Sequence, residues 1–106
     1  MAQATIFNGI IFLSGQVAKT TLNQDISAQA KEVLDQVEAL LAELGSSKAR
    51  LLSCQIFLKD MADFESWNEV WDRWVVPGNT PARTTIQAAM ARQHCRVEVT
   101  VTAALA

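Results

Sequence analysis

The residues able to do chemistry in this chain are few. Arg83 heads an alternating run, 83-RTTIQ-87, just after a turn-forming Gly-Asn-Thr-Pro. Glu98 follows fifteen residues later, inside a second alternating run, 96-RVEVTVTA-103. Strand alternation sends Arg83, Thr85 and Gln87 one way and Thr84, Ile86 and Ala88 the other. In the second run Val97, Val99, Val101 and Ala103 turn to the core, leaving Arg96, Glu98, Thr100 and Thr102 outside. On this reading Arg83, Thr85, Gln87, Glu98 and Thr100 share one polar sheet face, which meets either water or another subunit. Arg83 and Glu98 then have two uses. One is a surface cross-strand salt bridge, contributing about 0–1 kcal/mol. The other is a carboxylate-binding site, in which the guanidinium fork grips the anion and Glu98 holds or polarises a water. Exposed charges usually just solvate, so pattern alone favours the first.

The other reactive side chains read as structural. His94 lies in a turn, 91-ARQHC-95, with no partner at metal-ligand spacing. Cys54 and Cys95 fall in apolar, strand-like segments and are expected to be buried inert thiols, which suits a reduced, cytoplasmic setting. No phosphate-binding loop, dinucleotide fingerprint, nucleophile motif or metal cluster is present, so neither a metal nor a cofactor is expected. Phe64, Trp67, Trp71 and Trp74 form an aromatic stripe at helical spacing, expected to belong to the core.

The elements that position these residues follow from periodicity. Thr5–Leu13 is apolar and β-branched, broken by Asn8-Gly9, the strongest short hairpin signal. Val17–Gln24 reads as a polar loop. Ala30, Val33, Leu34, Val37, Leu41 and Leu44 recur at three- and four-residue steps and predict a long helix, capped by Asp25 or Ser27 and ended by Gly45. Leu51–Lys59 alternates, with Leu52, Cys54, Ile56 and Leu58 on one face. Asp60 is positioned to cap a second helix, and Pro77 prevents its continuation. The expected order is β-β-α-β-α-β-β. This is an α+β fold with one sheet of about five to six strands, covered on one face by two helices.

With 106 residues, half of them apolar and under a fifth charged, the chain is one globular domain spanning 1–106. A chain of this size buries roughly 65% of its unfolded surface, so oligomerisation would help it. The net charge is −2 and the basic residues are scattered, without the basic stripe that neutralises phosphates in nucleic-acid binding. The unbroken apolar run Ile10–Leu13 is far too short to cross a membrane.

Four stretches in order, 13-LSGQ-16, 54-CQIFLKDMADFESWNEVW-71, 81-PARTTIQ-87 and 97-VEVTVTA-103, make the whole chain resemble the RidA/YjgF family. The stretch 71-WDRWVVPGNTPAR-83 looks closer to a YoaB-like branch. The resemblance implies a chorismate-mutase-like fold assembled as a homotrimer, with clefts between subunits where 2-imino or 2-enamino acids are hydrolysed. It further implies that Arg83 clamps the substrate carboxylate and Glu98 orients the attacking water. Ser14, Gly15, Asn68 and Thr85 match cleft-lining positions. Thr85 stands where the family often has cysteine, and the family's upstream tyrosine has no counterpart, since the chain contains no tyrosine.

Three functions are weighed on this basis. The first is an imine/enamine deaminase needing no cofactor, because the protonated imine carbon is already electrophilic and positioning plus acid–base help suffices. The second is a trimer that binds small carboxylates without turning them over, motivated by the missing tyrosine and an altered loop. The third, a ribonuclease, has the acidic balance and the absence of a histidine pair or basic groove against it.

Overall fold

In the computed structural model, which describes residues 1–106, the chain begins with a tight hairpin. Strand β1 (Ala4–Phe7) pairs antiparallel with β2 (Ile10–Leu13). Between them Asn8 and Gly9 take φ of 50° and 75°, the left-handed pair that matches the twist of a two-residue turn. A two-residue strand β3 (Gln16–Val17) lies where a loop is expected and pairs with the last strand.

Helix α1 (Ile26–Glu43) is capped by Asp25, whose carboxylate accepts from Ala28 N at 3.0 Å. It ends in a Schellman motif: Gly45 sits at φ 80°, with Gly45 N on Ala42 O at 3.1 Å and Ser46 N on Leu41 O at 2.8 Å. Its buried face is Ile26, Ala30, Val33, Leu34, Val37 and Leu41, with Gln29 among them.

Strand β4 (Leu51–Leu58) leads to α2 (Phe64–Trp74). Asp60 caps the intervening 3₁₀ turn Met61–Asp63, accepting from Ala62 N at 2.9 Å, and does not cap α2 itself. Helix α2 stops before Pro77, and strands β5 (Ala82–Gln87) and β6 (Val97–Ala104) complete the chain. The strands form one mixed sheet ordered β1-β2-β6-β4-β5, with β3 added on β6. Only β4 and β5 run parallel, because α2 provides the long crossover that parallel neighbours need. Both helices pack on one face over Ile11, Cys54, Ile56, Leu58, Val97, Val99, Val101 and Ala103. The expected α+β, chorismate-mutase-like arrangement is therefore present. No helix is long and apolar enough to cross a membrane.

Besides the cap at Asp60 and the strand at Val17, three further expectations are corrected. Leu52 was placed in the core, but it is 46% exposed and Leu51 is buried instead. A register shift opposite β6, between Leu51 and Ser53, inverts the alternation at that end of β4. Cys95 precedes β6 in a turn rather than lying on a strand, although it is buried as expected.

The third correction concerns the sheet faces. Parallel register pairs Cys54 with Arg83, Ile56 with Thr85 and Leu58 with Gln87. Paired residues share a side, so Arg83, Thr85 and Gln87 lie on the helix side of the sheet. Glu98 and Thr100, paired with Phe57 and Gln55, lie on the open side. Ile86, expected to point inward, is 47% exposed on that open face, alongside Phe12 at 46% and Phe7 at 68%. The uncovered face is thus aromatic and aliphatic as well as polar.

One buried polar side chain ties the loops together. Gln29 is fully buried. The two N–H groups of its amide are shared among Leu22 O, Gln24 O and His94 O, and its oxygen accepts from Arg96 N. His94 itself sits in the left-handed region, φ 66°, confirming it as a turn residue.

Candidate functional site

Arg83 sits near the start of edge strand β5 with its guanidinium over two rings of α2. It lies 5.8 Å from the centroid of Phe64 and 5.4 Å from that of Trp71. Residues 64, 68 and 71 recur on one helical stripe, so Asn68 lies on the face of α2 that carries both rings. Thr85 follows on the same side of β5. The aromatic stripe therefore has two uses: Trp67 and Trp74 fill the core, whereas Phe64 and Trp71 also form the bed of the arginine.

The ion pairs of the chain are Lys31–Asp35, Lys48–Glu38 and Arg96–Asp63, and they leave Arg83 out. A cation resting on π faces and unspent on any carboxylate keeps its planar fork for an incoming anion. On α2 and β5, the elements that carry the two rings and Arg83, the buried Asn68 Oδ1, Thr85 Oγ1 and Trp67 Nε1 make no hydrogen bond within the chain. Under Arg83, Cys54 is buried; burial pushes its thiol up to about 12 against the pull of the arginine. Cys95 is raised by burial as well. Both thiols are protonated at neutral pH, which disqualifies them as nucleophiles.

The second group of residues lies across the sheet. Glu98 leaves β6 on the open side, and its carboxylate packs directly over Gly15, where a side-chain carbon would collide with it. Glycine at 15 thus makes room for the close approach of the Glu98 carboxylate, which a larger residue would push aside. Beside it, Ser14 Oγ donates to Gln3 Oε1 at 3.2 Å, and the buried Gln16 donates to Ser14 O at 3.1 Å and reaches Ser14 Oγ at 3.4 Å. Met1, Gln3, Ser14, Gly15 and Lys19 line a cavity of about 290 Å³ here. Sequence reasoning missed Gln3 and Gln16, since an isolated glutamine carries no motif.

The structure therefore brings together Arg83, Thr85 and Asn68 on the helix side, and Ser14, Gly15 and Glu98 on the open side. It does not bring the two sets together. The expected sharing of one face by Arg83 and Glu98 is overturned by the parallel pairing of β4 and β5. Strand β4 lies between β5 and β6, and the sheet itself separates the two charges.

The loop after Ser14-Gly15 is organised by Glu32 of α1. Its carboxylate accepts from Lys19 N, Thr20 N and Thr21 N at 3.0–3.2 Å and from Thr21 Oγ1 at 2.7 Å. Slight burial raises the pKa of Glu32, but the Thr21 hydroxyl and the backbone N–H groups outweigh it and bring the value from 4.5 to about 2. A depressed folded-state pKa contributes stability that is complete above about 4.5 and is lost as pH falls towards about 2. Thermal unfolding of wild type and Glu32→Gln across pH is expected to show the largest gap near neutrality. The gap closes between pH 4.5 and 2; a gap of constant size across that window would contradict the assignment.

A polar cavity of about 550 Å³ lies elsewhere, at the C-terminal ends of β4 and β5, where Lys59, Asp60, Asp63, His94 and Arg96 line it. Its charges are mixed and largely committed: Arg96 pairs with Asp63 at 3.3 Å, and Asp60 caps its turn.

Comparison with known proteins follows the same lines. The endoribonuclease L-PSP family model matches residues 2–105. A RutC family protein of Haemophilus influenzae is 39% identical over 103 residues, covering 97% of this chain and 89% of that protein. The RutC family protein YoaB of Escherichia coli is 35% identical over 104 residues, covering 98% and 90%. Among solved structures, a YjgF family protein of Neisseria meningitidis superposes with a TM-score of 0.88 at 43% identity, covering 98% of this chain and 86% of that one. From the helix-covered sheet, the Pro-x-Arg entry to β5 and these likenesses over nearly its whole length, the chain belongs to the RidA/YjgF family.

Proposed function

We propose that the protein hydrolyses reactive 2-imino and 2-enamino acids to 2-keto acids and ammonia in clefts between the subunits of a homotrimer. The observation that carries this reading is the pair of unspent charges on opposite sheet faces. Arg83 rests unpaired on Phe64 and Trp71, and Glu98 lies unpaired over Gly15. One chain cannot offer both to one small molecule, whereas two copies can. The exposed Phe7, Phe12 and Ile86 give the open face apolar area that a second copy would cover.

In such a cleft Arg83 holds the substrate carboxylate through two charge-assisted hydrogen bonds. An enamine first takes a proton at carbon to become the iminium. Glu98 accepts a proton from water as the oxygen attacks the iminium carbon, and the C=N π pair moves to nitrogen. The proton is returned to nitrogen, the C–N bond breaks with its electron pair leaving on ammonia, and the hydroxyl proton passes by way of Glu98 to ammonia as the carbonyl forms. The sum is R–C(=NH₂⁺)–COO⁻ + H₂O → R–CO–COO⁻ + NH₄⁺. Orientation and one base suffice, because the bound carbon is already electrophilic. Ser14 and Gly15 line the water side, and Asn68 and Thr85 the carboxylate side. RNA cleavage, named in the family model's description, finds less support in a chain of net charge −2 with one histidine.

The test is keto-acid release from imines generated in situ by an amino-acid oxidase. Release is expected to be accelerated over the spontaneous rate. No acceleration, together with calorimetric binding of 2-ketobutyrate that requires Arg83, would reassign the protein as a carboxylate-binding module. Absence of both would sink the carboxylate reading.

A further inference from the structure

The polar cavity of about 550 Å³ at the C-terminal ends of β4 and β5 is lined by neither Arg83 nor Glu98. Its volume falls within the roughly 300–1,000 Å³ of small-molecule sites. The backbone around it is fixed by hydrogen bonds. Lys59 N donates to Arg96 O at 3.0 Å, and Gln87 Nε2 donates to Lys59 O at 3.2 Å. These two bonds tie the end of β4 to the start of β6 and to the end of β5. The fully buried Gln29 holds four further points of the rim, Leu22 O, Gln24 O, His94 O and Arg96 N. An amide in the core costs desolvation free energy, which these hydrogen bonds offset. The rim is therefore a fixed part of the fold, not a gap between loose loops.

Lys59 and Arg96 bring two positive charges to this cavity, and Asp60 and Asp63 bring two negative ones, so the four cancel. The contacts among them spend one atom of each partner. Arg96 meets Asp63 through Nε and Oδ2 at 3.3 Å, and Asp60 uses Oδ1 on Ala62 N at 2.9 Å. A guanidinium has five N–H donors and a carboxylate about four lone-pair sites, so each keeps capacity for a guest. Such a lining discriminates by charge. A plain anion is drawn to Lys59 and Arg96 but repelled by both carboxylates, and a plain cation meets the reverse. A molecule carrying both a carboxylate and an ammonium satisfies both halves through charge-assisted hydrogen bonds.

We propose that this cavity is a second ligand site, built for a small zwitterion of the free amino-acid class. The carboxylate of the guest meets Lys59 and Arg96, and its ammonium meets Asp60 and Asp63. The Arg96–Asp63 pair is the fixed floor, with the Asp63 side chain 13% exposed. Lys59 and Asp60 are exposed and close on the guest from the rim. The site shares no residue with the imine reading and stands or falls apart from it.

The probes are L-alanine, L-alaninamide and N-acetyl-L-alanine, titrated calorimetrically into the intact assembled Arg83→Ala protein. That background removes the guanidinium assigned to the other carboxylate site. The amide lacks the carboxylate and the acetyl compound lacks the ammonium. Alanine is expected to bind saturably, and each one-charge derivative about tenfold or more weakly. Lys59→Gln and Asp60→Asn, each added to the same background, are expected to weaken alanine by a similar factor. Both are expected to fold, because Lys59 is exposed and joins no ion pair, and asparagine still caps the turn. Amide NMR shifts on adding alanine are expected at residues 22–24, 59–63 and 94–96. No saturable binding of alanine, equal binding of a one-charge derivative, or unchanged affinity in both variants overturns the site. The four charges are then solvated surface groups, and the imine reading is untouched.

Discussion

Arg83→Ala is expected to lower kcat/KM for 2-imino acid hydrolysis about 100-fold or more. The guanidinium fork supplies two charge-assisted hydrogen bonds to the carboxylate, each contributing about 1.5–3 kcal/mol. With about 1.4 kcal/mol per factor of ten, their joint loss reaches at least two orders of magnitude. Most of the loss is expected in KM, because the carboxylate is held alike before and during attack on the imine carbon. Arg83→Lys keeps the charge but not the planar fork, and falls between the two. The fold is expected to survive, since Arg83 joins no ion pair and gives up only its stacking on Phe64 and Trp71. Such stacking is worth about 0.5–1 kcal/mol at an exposed site. Steady-state kinetics with in situ imine, beside a urea unfolding curve, separates the two effects. A variant as active as wild type would remove Arg83 from the site.

The second large effect comes from mixing two inactive chains. Arg83→Ala and Glu98→Gln are each expected to inactivate a homogeneous assembly. When the two are unfolded, mixed in equal amounts and refolded together, activity is expected to return. If each cleft takes its arginine from one chain and its glutamate from a neighbour, random assembly leaves about a quarter of the clefts intact. The recovered rate is then about a quarter of wild type, from two proteins that are each silent. A site built within one chain would recover nothing, because no chain in the mixture carries both residues. The opposite-face placement of Arg83 and Glu98 makes recovery the expected outcome. The experiment also reports on Gly15: Gly15→Ala displaces the Glu98 carboxylate, and is expected to behave in the mixture as Glu98→Gln does.

The architecture was legible in the sequence because periodicity and turn chemistry agreed along the chain. Asn8-Gly9 could hardly be anything but a hairpin turn, and the spacing from Ala30 to Leu41 anticipated the buried face of α1. The strand alternation around Arg83 was also right; the side it faces was not. Hydrophobicity suggested that Ile86 turns inward and Arg83 outward. On an edge strand beside an aromatic helix that inference inverts, since a guanidinium is comfortable on the faces of Phe64 and Trp71 and its stem passes over apolar surface. Leu52 failed for a related reason: one irregular residue in the pairing of β4 with β6 exchanges its side with Leu51. The orphaned atoms of Trp67, Asn68 and Thr85 had no sequence signature, because a missing hydrogen bond is a property of packing. The glutamine supports of Ser14 were invisible for the same reason.

The parallel register of β4 and β5 decides more than the side on which Arg83 emerges. A slip of β5 by a single residue would turn Arg83 to the open face, where it could neutralise Glu98 inside its own chain before any second copy arrived. The segment from Val75 to Pro81, which delivers β5 to its partner, should therefore accept changes of residue type far more readily than a gain or loss of one residue. In evolutionary terms, the length of that connection guards the separation of the two charges. A single-codon insertion that shifted the register of β5 would turn Arg83 to the side of the sheet that carries Glu98.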